Sequence, residues 1–134
     1  MKKIVYIFLF LLSNLYVSVS TAACVRADLS SVWRIYTEHD SGAMRCTLVM
    51  PTSGTTIASN SYCYIPGVTS STPMSGSLSL DPTNCHVYGS IKIGKDSARS
   101  VDAWISKGKD SMSGMSWKPS TPTDGGDFSG VKQF

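Results

Sequence analysis

Only two histidines, His39 and His86, are available for acid–base or metal chemistry in this chain of 134 residues. His39 stands in Thr37-Glu38-His39-Asp40, where hydroxyl, carboxylate and imidazole are neighbours, the groups that general acid–base catalysis uses. Adjacency along the chain is not a site, and so polar a tetrapeptide reads as a solvated turn. His86 follows Cys85 and reads as a strand residue with a local hydrogen bond. Two scattered histidines do not close a zinc site unless thiolates join them. No serine lies in a Gly-x-Ser-x-Gly elbow. The run Gly89-Ser90-Ile91-Lys92-Ile93-Gly94-Lys95 has the glycine–lysine spacing of a phosphate loop, but Asp96 follows where Ser or Thr must reach magnesium. The run also alternates like a strand, so nucleotide binding is not expected. Asp124-Gly125-Gly126-Asp127 offers two carboxylates, whereas calcium needs about six to eight oxygen ligands. A plain turn is the expectation there. We therefore expect no catalytic residue, no metal and no cofactor. A hydrolase is the residual enzymatic reading, because a triad assembled only in space leaves no trace at this level.

The residues best suited to contact are aromatic: Trp33, Tyr64, Tyr88, Trp104 and Trp117, with Tyr62 beside them. Such rings combine a large contact area with a polar handle. The competing reading is that they fill a core, and alternation separates the two. In Val101–Ser106, Val101, Ala103 and Ile105 share one face, which leaves Trp104 on the other with Asp102 and Ser106. Tyr88 falls with Ser90 and Lys92, opposite Val87, Ile91 and Ile93. Rings exposed among Ser and Lys predict a contact surface for a protein or a glycan.

The elements that position these rings are set by export and by cysteine. Lys2 and Lys3, the apolar run Ile4–Leu12 and the small residues Thr21-Ala22-Ala23 form the three parts of a secretory signal, with cleavage expected at Ala23. Ser13 and Asn14 interrupt the apolar run, which is too short to span a membrane, so no transmembrane segment is expected after processing. A lipoprotein anchored through Cys24 is the minor alternative. Residues 24–134 then form one domain. The four cysteines, Cys24, Cys46, Cys63 and Cys85, all lie in that domain, and an even set outside the cytoplasm reads as two disulfides. The product is expected in the periplasm or secreted. Its formal charge of +3 includes Lys2 and Lys3; without them ten basic residues face nine acidic ones. That is no footprint for nucleic acid.

The exported part holds 20 Ser and 10 Thr but one Glu, Glu38, a composition that favours strands and turns over helix surfaces. Arg45–Met50 and Asn60–Ile65 read as strands about a turn at Pro51-Thr52-Ser53-Gly54. Cys46 and Cys63 are nearly equidistant from Gly54, so a hairpin there joins them and leaves Cys24 for Cys85. The rival assignment stays open: a turn at Pro73–Gly76 pairs Cys63 with Cys85 and Cys24 with Cys46. A glycine followed by alternating residues recurs at Gly76, Gly89, Gly114 and Gly130, the pattern of half-buried strands in a sheet that bends sharply. Val101–Ser106 pairs with Ser111–Trp117 across Lys107-Gly108-Lys109-Asp110, and Pro119–Asp127 reads as a loop before the last strand. Asp28–Tyr36 reads as one short turn leading into strand one. The fold class is all-β: an antiparallel up-and-down meander of seven or eight strands, closing into a barrel or a strongly coiled sheet.

Leu29-Ser30-Ser31-Val32-Trp33-Arg34-Ile35-Tyr36, followed by Cys46 and Cys63, resembles the opening of small bacterial lipocalin-like β-barrels. Across residues 28–65 it is most similar to the periplasmic family of metalloprotease inhibitors. The resemblance implies a tryptophan that plugs the barrel floor and an inhibitory role. The reading of the residues themselves is an exported, non-enzymatic module that binds a protein or glycan through an aromatic, Ser-rich face. A protease inhibitor is one alternative. A surface-associated structural component, of the pilus or adhesin kind, is the other.

Overall fold

The computed structural model describes residues 23–134, so the expected signal peptide lies outside the described residues apart from its last alanine. One helical turn, α1 (Arg26–Leu29), precedes eight strands: β1 (Val32–His39), β2 (Gly42–Val49), β3 (Tyr62–Tyr64), β4 (Thr72–Asp81), β5 (His86–Ile93), β6 (Arg99–Ile105), β7 (Ser111–Lys118) and β8 (Thr121–Gln133). Each strand pairs antiparallel with the next, and β8 returns to pair with β1. The meander is therefore a closed eight-stranded barrel, which leaves no full-length sheet edge exposed.

Alternation decides which side chains go inward. Trp33, Ile35, Met44, Cys46, Leu48, Met74, Leu78, Val87, Ile91, Ile93, Val101, Ala103, Met112 and Phe128 fill the interior and are almost wholly buried. Closing so small a barrel brings backbones very near each other at glycines. A Cβ on Gly89 would lie 2.1 Å from the Ser77 carbonyl oxygen, and one on Gly76 2.2 Å from that of Ser90. Both glycines have positive φ, +150° and +129°, so β4 and β5 bend together where side chains do not fit.

The two ends of the barrel are closed differently. At the floor, α1 packs Leu29 under the strands, and the buried Trp33 indole N–H donates to the Leu29 carbonyl over 2.8 Å. Lys132 Nζ sits 5.6 Å from the Trp33 ring centre and donates to the Asp28 carbonyl at 3.0 Å. A disulfide from Cys24 to Cys85 clamps the N-terminal residues to the β4–β5 connection. The second disulfide joins Cys46 to Cys63, directly opposed on β2 and β3. The favoured pairing holds and the rival one fails. Pro73–Gly76 makes no turn because it lies within β4. Two disulfides place the chain in an oxidising, extracytoplasmic compartment.

Three local expectations are corrected. Thr37-Glu38-His39 is not a solvated turn: β1 runs through it, with Thr37 and His39 buried inside the barrel and only Asp40 reaching the turn. The inward alternation of Trp33 and Ile35 continues because the upper interior is itself polar. Pro119–Asp127 is not a loop: β8 begins at Thr121, and Asp124–Asp127 is strand rather than turn. Gly125 and Gly126 pair with Trp117 and Ser116, so Pro/Gly content does not break the pairing with β7. A register shift at Trp117/Lys118 accommodates the entry.

Candidate functional site

The five aromatic candidates do not form one cluster. Trp33 is fully buried and takes no part in an outer surface. The other four project from the outer wall. Trp104 is 48% exposed and Tyr88 47%, while Tyr64 and Trp117 are half-buried. Tyr64 meets Tyr62 edge-on, with centroids 5.4 Å apart. Trp117 stands at the mouth end of β7, its cross-strand partner on β8 being Gly125.

His86 joins Trp104 to Tyr88. The imidazole stacks on the indole with centroids 4.7 Å apart and on the phenol at 5.3 Å. Its Nε2 lies 2.6 Å from Asp102 Oδ1. The carboxylate fixes the imidazole, and the imidazole fixes the stack. Among the described residues His86 bonds through its side chain to Asp102 and to no serine or threonine hydroxyl.

Cross-strand register reveals what the sequence did not. A single row of outward side chains crosses seven of the eight strands: Tyr64 opposes Arg45, Arg45 opposes Tyr36, and Tyr36 opposes Ser129. The row continues through Ser113 and Trp104 to His86. Two short serines therefore separate Tyr36 from Trp104, with Met115 on the next row, 55% exposed. Tyr36 is 53% exposed and was missed. The alternation of Trp33, Ile35 and Thr37 inward marks it as outward, but only pairing places it in line with Trp104.

A groove of about 640 Å³ opens at the Tyr64–Arg45–Tyr36 end. Tyr36, Arg45 and Tyr64 form its floor; Ile65, Pro66 and Val68 form an apolar wall; Glu38 and Asp127 line the remainder. Such a volume is in the ordinary range for a ligand site. The side chains of Arg45, Glu38 and Asp127 make no hydrogen bond or ion pair with other described residues.

The titratable groups cluster elsewhere, inside the mouth. His39 is buried, with Nδ1 3.6 Å from Asp96 Oδ2 and neither ring nitrogen hydrogen-bonded. Burial, and after it the Arg99 charge, hold the His39 imidazole below its usual range, partly opposed by Asp96 and Asp40. Buried Arg99 donates to the Asp124 carbonyl at 2.7 Å and faces the Asp40 carboxylate at 3.8 Å. Lys118 Nζ reaches Asp40 Oδ1 at 2.9 Å, the main reason that the carboxyl falls to about 2. Ser41 Oγ donates to Asp96 Oδ1 at 2.8 Å, and the Ser97 N–H donates to Asp40. These contacts tie the β1–β2 turn to the β5–β6 turn and cover the mouth. Among the described residues no three His, Cys, Asp or Glu side chains gather in a group that could hold a metal ion.

The fold defines the class: a small disulfide-bonded eight-stranded β-barrel whose exposed chemistry is on its outer wall. Comparison of the chain with protein-family models, with curated proteins and with solved structures finds no match. Within the described residues, no helix is long and apolar enough to cross a membrane.

Proposed function

We propose that this protein is an exported, non-enzymatic binding module, working in the periplasm or beyond the cell, that recognises a protein or glycan through its outer wall. One observation carries the reading. The interior is filled by fully buried side chains such as Trp33, Phe128 and Ile91, while Tyr36, Trp104 and His86 line up outside on one row. A carrier of the interior-cavity kind needs the opposite arrangement. Aromatic rings already held by neighbours lose little freedom on binding, which favours them as contact residues. The serines between them supply hydroxyls that hydrogen-bond a partner without blocking access.

The inhibitor alternative draws less support. The N-terminal residues that would enter a protease cleft are fixed by the Cys24–Cys85 disulfide and by α1 beneath the barrel. Barrel closure leaves the structural-subunit alternative only the short stretches of β2 and β4 that β3 does not pair as strand edge among the described residues. The test is a glycan array together with a stoichiometric pull-down from periplasm and medium, using the oxidised protein and its Trp104→Ala variant. A saturable partner that Trp104→Ala weakens at least about tenfold is the expected result. A protein that retains no partner in either format ends the proposal.

A further inference from the structure

We infer that the Tyr36–Arg45–Tyr64 groove takes an extended peptide segment of a partner protein, with an acidic side chain at one position and a basic one two residues on. This rests on the reading of the outer wall as a binding surface, and commits one part of it to one occupant.

Three features converge. First, the wall is thin here. β3 has three residues, and its pairing with β2 stops at Arg45–Tyr64, while β2 runs on through Met44, Ala43 and Gly42. Backbone groups in an antiparallel strand alternate in direction. The Val49 carbonyl accepts from the Ala58 N–H, and the Val49 N–H donates to Ser61 Oγ, both on the β3 side. Residues 47, 45 and 43 share that direction. The Ala43 N–H and C=O therefore point past the end of β3, where an added strand finds a donor and an acceptor. The chain after β3 makes no backbone hydrogen bond to Ala43: the Val68 N–H instead closes a turn on the Ile65 carbonyl at 3.0 Å, and Ala43 and Val68 are both exposed.

Second, the charges are spaced for an extended chain. Arg45 opposes Tyr36, and Ala43 opposes Glu38, one row further along. Two residues of strand span about 6.6 Å, and side chains of an extended peptide repeat on one face at that same interval. The side chain two residues on from one that pairs with Arg45 thus falls on the Ala43–Glu38 row, in the groove that Glu38 and Asp127 line. Two carboxylates there select a cation, and a guanidinium between two tyrosines selects a carboxylate. A glycan has no such repeat of opposite charges. Third, Ile65, Pro66, Val68 and Tyr64 offer apolar surface for a side chain between or beside the charged pair.

The experiment is selection of a phage-displayed library of random linear peptides on the oxidised protein. The selected peptides are then titrated against Arg45→Glu, Arg45→Gln, Glu38→Lys and Trp104→Ala, with circular dichroism confirming each fold. Support is enrichment of acidic-x-basic peptides that lose at least about tenfold affinity to Arg45→Glu, less to Arg45→Gln, and whose basic position is rejected by Glu38→Lys. No enrichment overturns the inference. So does enrichment indifferent to these variants, or lost only in Trp104→Ala. Those outcomes leave the wider reading standing if the glycan array gives a partner. The wider reading fails separately, by the absence of any partner in that array and the pull-down.

Discussion

Removing the Cys24–Cys85 disulfide with the double substitution Cys24→Ala/Cys85→Ala is expected to cost about 4 kcal/mol, nearly all of it through the unfolded chain. The two residues are 61 apart in sequence, and the chain-entropy relation for a loop of that length gives about 4 kcal/mol at 25 °C. The native state has little to lose, because other contacts hold the same segment. The Cys24 N–H donates to the Pro82 carbonyl, Asp28 caps the Val25 N–H at 2.7 Å, and Lys132 bonds the Asp28 carbonyl. Leu29 stays buried, and its carbonyl accepts the Trp33 indole N–H. Circular dichroism of the variant should therefore match the parent. Equilibrium urea unfolding followed by tryptophan fluorescence reads the loss, with a fall in Tm of roughly 15 °C as an independent measure. The same relation gives about 3 kcal/mol for Cys46–Cys63, 17 apart. A loss below about 1 kcal/mol for Cys24–Cys85, or a native spectrum already changed without the crosslink, would refute the account. The first outcome would mean that the unfolded chain is already held compact; the second, that the disulfide rather than α1 builds the floor.

Trp33→Ala should lose about 3–5 kcal/mol by chemical denaturation, because it empties the floor and leaves the Leu29 carbonyl without its donor, whereas Trp104→Ala on the open wall should lose less than about 1 kcal/mol. Gly114→Ala should destabilise by at least about 2 kcal/mol in the same assay, since its Cβ would lie 2.1 Å from the Asp102 carbonyl oxygen and 2.4 Å from the Ala103 Cα, both backbone. His39 titrates near 6.5 when unfolded and lower in the barrel, so the unfolded chain binds the proton first. Tm should be flat above about pH 7 and fall as pH drops below 6.5, until native His39 itself protonates; His39→Gln should flatten that segment of the profile. Asp40 has the opposite history, with its carboxyl lowered from 3.8 to about 2, so its contribution persists above pH 4 and disappears between there and 2, a step that Asp40→Asn should remove.

Much of the barrel was legible because its signals are local. Period-two alternation placed Val87, Ile91, Ile93, Val101, Ala103 and Ile105 inside and Tyr88 and Trp104 outside, and the structure agrees at each. Symmetry about Gly54 brought Cys46 opposite Cys63, although residues 50–61 form no tight turn there but a long connection that bonds to β4 at Gly76–Leu78. Composition misled where burial is polar. Thr37 and His39 look like turn residues, yet they continue β1 inward because Arg99 and Ser116, remote in sequence, give that end of the interior its polar lining. Thr121–Asp127 likewise reads as loop by its Pro and Gly, but pairing with β7 needs only backbone, and that partner is not visible locally.

The candidate site was the least legible part, for a reason that bears on its function. Which rings face outward follows from parity within one strand; which rings face each other depends on register across strands. Tyr36, Ser129, Ser113, Trp104 and His86 come from β1, β8, β7, β6 and β5, so no window of sequence contains them together. A shift of one residue in any of those pairings would turn the affected strand's side chains to the other face and bury Trp104 or expose Ala103. The core that fixes register therefore also fixes the surface: Phe128 and Gly130 inward hold Ser129 outward, and Val87 inward holds His86 beside Trp104. Disulfides and packed interior hold that outer row in register, so on the proposed reading of the outer wall, substitutions inside the barrel that preserve stability but loosen pairing should impair partner binding before they unfold the protein.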